Sequence, residues 1–161
     1  MWVCRAGKKA VYADYYLKSE RIYIPWDGFK KNLSLYKSRE DMKALVIDEK
    51  GRVAQTSISN WAGQLYSFCW EMKIGDKVLI PYNSSNNFAL ASIIGEYCFS
   101  PQNEKLLWHS RAITIIASDV PASIFDQSTR YSLGAFRTIF KAKKEQEIIE
   151  LINKYIAEKE G

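Results

Sequence analysis

Apolar and polar residues alternate along the chain in short runs, and each run ends at proline, glycine or a polar cluster. Trp2-Val3-Cys4 predicts an opening strand closed by Gly7. Val11 to Lys18 has helical spacing through Val11 and Tyr15. Ile22-Tyr23-Ile24 predicts a strand that stops at Pro25, followed by the turn-like Trp26-Asp27-Gly28. Ser38 and Asp41 form a capping pattern ahead of Met42, Leu45 and Val46, and Gly51 ends that helix. Ser57 or Ser59 can cap the next helix, over 57–72, in which Ile58, Trp61, Leu65, Phe68 and Met72 fall on one face. Gly75-Asp76 ends it and starts a strand at 77–82. The polar turn Asn83-Ser84-Ser85-Asn86-Asn87 links this strand to a second one over 88–99, with Gly95 as a bulge. Further strands are expected at Ile113–Ile116 and at 136–140, with a helical turn opening at Pro121. A closing helix over 142–158 has Ile148, Ile149, Ile152, Tyr155 and Ile156 on one face.

The expected class is α+β, a small, mostly antiparallel curved sheet or open barrel flanked by helices. Two parts are expected: a domain over 1–140, and an amphipathic C-terminal helix over 141–161 that could begin a linker to a nuclease domain. A chain of 161 residues fits one domain of ordinary composition, with 47% hydrophobic and 25% charged residues. No apolar run is long enough to span a membrane, and Arg5, Lys8 and Lys9 interrupt the first apolar stretch, so no signal peptide is expected. Cys4, Cys69 and Cys98 are odd in number and widely spaced, which suggests neither a disulfide framework nor a zinc site. The expected setting is reducing and cytoplasmic, with no metal and no cofactor.

Charge adds a direction. The formal net charge is +5. Residues 1–31 carry Arg5, Lys8, Lys9, Lys18, Arg21, Lys30 and Lys31 against Asp14, Glu20 and Asp27, a balance compatible with a polyanionic partner, although on charge alone a solvated basic face is the better reading. Catalytic chemistry finds little support. His109 is the single histidine and has no carboxylate or cysteine beside it in sequence. Asp48-Glu49-Lys50 faintly resembles the end of a metal-dependent nuclease strand, but reads better as a charged helix end before Gly51. Neither a Walker pattern nor a GxGxxG loop is present.

Aromatic residues are abundant: five Trp, ten Tyr and seven Phe. Trp61 and Trp70 are nine positions apart on one expected helix, roughly 180° around it, so they cannot share a face. Trp61 is expected in the first helical turn, beside free N–H groups. Trp26 follows a strand and precedes a glycine, a position from which a ring can line a cleft. Such a pocket suits a flat base, although core packing of both rings is an equally good reading of the sequence.

The ordered set Trp2-Val3-Cys4-Arg5-Ala6-Gly7, Ile22-Tyr23-Ile24-Pro25-Trp26, Trp61-Ala62-Gly63-Gln64-Leu65-Tyr66, Met72-Lys73-Ile74-Gly75-Asp76-Lys77-Val78, Ala91–Tyr97, His109-x-Arg111 and Ser132-Leu133-Gly134 resembles the N-terminal domain of Mrr-type, modification-dependent restriction endonucleases. It is also similar to the EVE and YTH branches of the PUA-like superfamily. The resemblance covers about residues 1–140. It implies a PUA-like barrel that flips a modified base, methylation foremost, into an aromatic cage. Trp26 and Trp61 would stack on the base with Tyr82 as a third wall. Asp27 or Asn60 would bond its edge, and Arg5 would meet phosphate or the base edge. Lys8, Lys9, Lys30, Lys31 and Arg111 are the candidates for phosphate contacts. The implied role is recognition without catalysis. The partner is modified DNA, with modified RNA as the alternative, and any nuclease would act from another domain or subunit.

Overall fold

The computed structural model describes residues 1–135 and 137–161. Its elements run in the order β1 (Trp2–Cys4), α1 (Ala13–Ser19), β2 (Arg21–Tyr23), α2 (Arg39–Lys50), α3 (Gln55–Tyr66), β3 (Lys77–Tyr82), β4 (Asn87–Ile93), β5 (Cys98–Phe99), β6 (His109–Pro121), α4 (Gln127–Leu133), β7 (Ile139–Lys141) and α5 (Glu145–Glu160). The class is α+β, a curled mixed sheet flanked by helices. Strand order is β2-β6-β4-β3-β1-β7, with β5 added to β6. All pairings are antiparallel except β1 with β3.

The pleat sorts side chains between two cores, because successive residues of a strand face opposite ways. Trp2, Cys4, Val78, Ile80, Ala89, Ala91, Ile93 and Ile139 join α1, α2 and α3 in the larger core. Val3, Leu79, Phe88, Leu90 and Phe140 face the other side, where they meet Ile148 and Ile152 of α5. Residues 141–161 therefore share a core with the sheet. The expected division at residue 140 does not correspond to a break in packing.

Several boundaries differ from the sequence reading for local reasons. Tyr82 pairs with Asn87, leaving a four-residue turn in which Asn83, Ser84 and Ser85 all have positive φ. The strand expected over 88–99 breaks after Ile93, and the register shift lies earlier, between Phe88 and Ala91. Gly95 is set by a close approach instead: a Cβ there would sit 3.0 Å from the Ala112 Cβ. β6 runs for 13 residues, far beyond the expected 113–116, because its two halves serve different partners. Residues 110–112 pair with β2 and residues 113–121 with β4. The last strand is Ile139–Lys141, and the Phe136 end of the expected strand lies outside the described residues.

Ser38 caps α2 as its spacing predicts, its side chain accepting the Asp41 N–H at 3.0 Å. α3 instead starts at Gln55 with no side-chain cap. It then widens into a π turn over Ser67–Glu71, whose closing bond runs from Met72 N to Ser67 O at 2.9 Å. Among the described residues no helix is long and apolar enough to cross a membrane.

Candidate functional site

Three loops and two helices enclose an open cavity of about 640 Å³. Trp26 and Asp27 come from the loop after β2, Phe29 from the same loop, Trp61 from α3 and Lys50 from the end of α2. Arg5, Lys8 and Lys9 form the side contributed by the segment after β1, and Gly134, Ala135 and Thr138 the side between α4 and β7. The volume is in the range of small-ligand sites, roughly 300–1,000 Å³.

Each ring is held by the scaffold. The Trp26 indole N–H donates to Thr138 Oγ1 at 3.0 Å, which fixes the ring in the cavity wall. Phe29 is buried beneath, its ring centroid 5.9 Å from that of Trp26. Trp61 sits two turns into α3 rather than in its first turn, because the helix starts at Gln55. The free N–H groups of the helix end are therefore not beside it. Gln64, one turn further on and only 6% exposed, anchors the opposite wall. Its Oε1 accepts the N–H groups of Thr138 and Ile139 at 3.0 and 2.9 Å.

The cavity is cationic. Lys50 Nζ donates to the Asp27 carbonyl at 3.1 Å and lies 5.3 and 5.7 Å from the centroids of Phe29 and Trp61, within cation–π range. The Asp48-Glu49-Lys50 run is the last turn of α2, which ends at Gly51 with φ +75°. The Arg5 guanidinium donates through Nη2 to the Leu133 carbonyl at 3.1 Å, while its buried Nε–H has no protein partner. Burial lowers its pKa. Lys8 and Lys9 are exposed on a turn in which Lys9 and Ala10 are both left-handed. Gly7, with φ +83°, permits that turn: a Cβ there would meet the Tyr12 ring at 2.9 Å.

Of the residues singled out from the sequence, Arg5, Trp26, Asp27, Trp61, Lys8 and Lys9 thus meet in one cavity. The others do not. Tyr82 points its hydroxyl to Ser118 O and Asp119 Oδ1, at 2.8 and 3.0 Å, and lines no part of the cavity. Asn60 lies on a neighbouring groove with Ser57, Gly63 and Arg137. Lys30 stands over the Trp108 ring, 5.6 Å from its centroid, and Lys31 is exposed on the following loop.

Arg111 requires the largest correction. It is 2% exposed and cannot reach a phosphate in solvent. Its Nε and Nη2 donate to Gly95 O at 3.1 and 3.0 Å, and its Nη1 to Phe68 O and Met72 O at 3.2 and 2.6 Å. It thereby closes the π turn against the loop after β4. Phe29, Lys50 and Thr138 are the cavity residues that sequence reasoning missed. The chain reversal at Trp26-Asp27-Gly28 was a signal for Phe29, whereas Lys50 and Thr138 arrive only through tertiary packing.

His109 supports the cavity floor from below. It is 3% exposed. Its Nδ1 lies 2.6 Å from the Tyr97 hydroxyl, which itself accepts the Leu33 N–H at 3.1 Å, and its Nε2 bonds the Phe29 carbonyl. This chain of bonds is complete when Tyr97 donates to Nδ1 and a neutral imidazole donates from Nε2. Burial lowers the pKa of His109, and the bond to Phe29 opposes that only in part. A histidine kept neutral by the fold contributes stability above its ordinary value of 6.5 and loses it as the pH falls, because the unfolded chain then binds the extra proton. His109→Gln is therefore expected to flatten the dependence of unfolding free energy on pH below about 6.5, measured by urea titration against the parent. An identical dependence in both proteins would show that His109 is not the titrating group.

A sequence comparison with curated proteins finds no match. A family model described as a domain of unknown function matches residues 2–141, from the first residue of β1 to the last of β7, and so takes in every wall of the cavity. The chain belongs to this DUF8426 family.

Proposed function

We propose that this domain is a non-catalytic recognition module that binds a modified, flipped-out DNA base between Trp26 and Trp61, as the targeting part of a modification-dependent restriction system. The observation that carries the reading is the meeting of two indole rings, from positions 35 residues apart in the sequence, in one open cavity ringed by Arg5, Lys8, Lys9 and Lys50. Flat aromatic walls suit a base, and the cations suit its phosphates. The Asp27 carboxylate offers an acceptor for an exocyclic amine. The likeness of the ordered sequence motifs to PUA-like base-binding domains supports the same reading.

The energies are compatible. Extruding a base costs a few kcal/mol, least for a base already unpaired. Stacking on an aromatic side chain returns about 1–3 kcal/mol per ring. Two rings with one or two hydrogen bonds can therefore hold a flipped base, and a modification that improves the fit tips the balance.

The test is titration of matched DNA oligonucleotides that differ in one methylated cytosine or adenine, followed by fluorescence anisotropy, with the RNA counterparts alongside. Tighter binding of a modified DNA is expected. Trp26→Ala and Trp61→Ala should each weaken that binding by roughly 5- to 150-fold, the equivalent of one lost stack. Equal, weak and steeply salt-dependent binding to every oligonucleotide would leave only non-specific electrostatics. Preference for the modified RNA would replace DNA by RNA as the partner, the 2′-hydroxyl being the discriminating group.

A further inference from the structure

The densest run of positive charge does not lie in the N-terminal third. From Gln127 to Lys144 the chain carries Arg130, Arg137, Lys141, Lys143 and Lys144 and not one Asp or Glu. Folding gathers these five onto one exposed face made by α4, β7 and the approach to α5. They line a broad groove of about 1240 Å³ that no acidic side chain borders. Asp126 and Glu145 flank the run in sequence, and neither lines the groove. Arg39, on the polar groove beside α3, is by contrast neutralised by Glu71 at 2.8 Å.

Two further observations give the face a direction. Gly134 and Ala135 border both this groove and the cavity of Trp26 and Trp61, so the two adjoin. Tyr131 stands in the groove with 87% of its surface exposed. Arg130 and Lys144 are near enough to Asp126 to lower its pKa, but among the described residues none of the five cations makes a direct ion pair. An isolated aromatic ring amid such cations is the arrangement that tracks a polynucleotide, with phosphates on the cations and a base or sugar against the ring.

We propose that the α4–β7–α5 face is the track for the phosphodiester backbone flanking the base held at Trp26 and Trp61. The inference rests on the nucleic-acid reading given above and moves the main phosphate contacts from Lys30, Lys31 and Arg111 to Arg130, Lys143 and Lys144. Each phosphate neutralised on duplex DNA contributes about 0.9 to the slope of log affinity against log salt concentration, and on a single strand about 0.7.

The experiment compares the full chain with the triple variant Arg130→Gln/Lys143→Gln/Lys144→Gln, using one methylated and one unmethylated duplex over a salt series. The variant should bind both duplexes roughly 10- to 100-fold more weakly at ~50 mM salt, with the slope reduced by about 2–3 and the methylated-to-unmethylated ratio unchanged. The charge-preserving variant Arg130→Lys/Lys143→Arg/Lys144→Arg should retain affinity and slope, which separates charge from any effect on folding. Tyr131→Ala should weaken both duplexes about fivefold with the slope unchanged. Parent-like affinity and slope in the Gln variant would overturn the track and leave the base cavity untouched. Equal binding of both duplexes by the parent, lost in the Gln variant, would keep the track and overturn the base cavity. A parent that binds neither duplex at ~50 mM salt would overturn both.

Discussion

Arg111→Met is expected to lower the stability of the domain by about 4 kcal/mol, and its melting temperature by roughly 10 °C. The guanidinium is buried and donates to three backbone carbonyls, those of Phe68, Met72 and Gly95. Methionine fills much of the volume but leaves all three acceptors without that donor in a region closed to water. Each buried acceptor left unsatisfied costs about 1–3 kcal/mol. Two of the carbonyls belong to the π turn and its exit, where the wider helix supplies fewer partners of its own. Arg111→Lys should recover only part of the loss, because one ammonium cannot reproduce the planar fork that meets carbonyls from two elements. Urea and thermal unfolding measure the effect. A loss below about 1 kcal/mol would mean that the carbonyls find other partners and that Arg111 is not the clamp described above.

Truncation after Lys141 is expected to leave a chain that does not fold to a soluble, cooperative state. The cut falls at the edge of the family match and removes α5, whose Ile148 and Ile152 are fully buried in one core with Val3, Leu79, Phe88, Leu90 and Phe140. Burial of an isoleucine side chain stabilises a fold by about 1.5–3 kcal/mol, and the truncation also uncovers the five sheet residues beneath. The combined loss is comparable to the whole margin of a domain, about 5–15 kcal/mol. Loss of near-ultraviolet circular dichroism with binding of a hydrophobic dye would register it. The point variant Ile152→Ala, expected to cost about 2–5 kcal/mol, gives a milder measure of the same contact. A truncated protein that melts cooperatively at the parent temperature would instead make α5 an appendage.

How far the sequence could be read depended on how much of each element is encoded locally. β1 and β3 were legible because apolar runs end at Gly7 and begin after Gly75-Asp76. α2 was legible because Ser38 and Gly51 mark its ends. The start of α3 was misplaced because serines at 57 and 59 look like caps, whereas the helix begins at Gln55 without one. That error moved Trp61 into a first turn it does not occupy. α4 was missed altogether, since Gln127–Leu133 is polar and buries only Thr129 and Leu133. Trp26 drew attention through its own neighbours, Pro25 and Gly28. Arg111 shows the limit: a basic residue in a strand looks the same in sequence whether it faces water or three carbonyls. Lys50 shows the converse, a helix-end charge that only packing carries to the two rings.

The pairing of β1 sets the order of events during synthesis. Trp2, Val3 and Cys4 leave the ribosome before any of their partners in the sheet and are almost wholly buried in the finished fold. Yet Trp2 pairs with Val78 on one side and with Lys141 on the other. At ~5–20 residues per second, the second partner emerges roughly 7–28 s after the strand itself. For that interval β1, apolar throughout, has an open strand edge and no place to put it. The local hairpin of β3 and β4 can form meanwhile, but the sheet cannot close around its first strand. Demand for a chaperone should therefore concentrate on β1, and slowing translation between β3 and β7 should lengthen it.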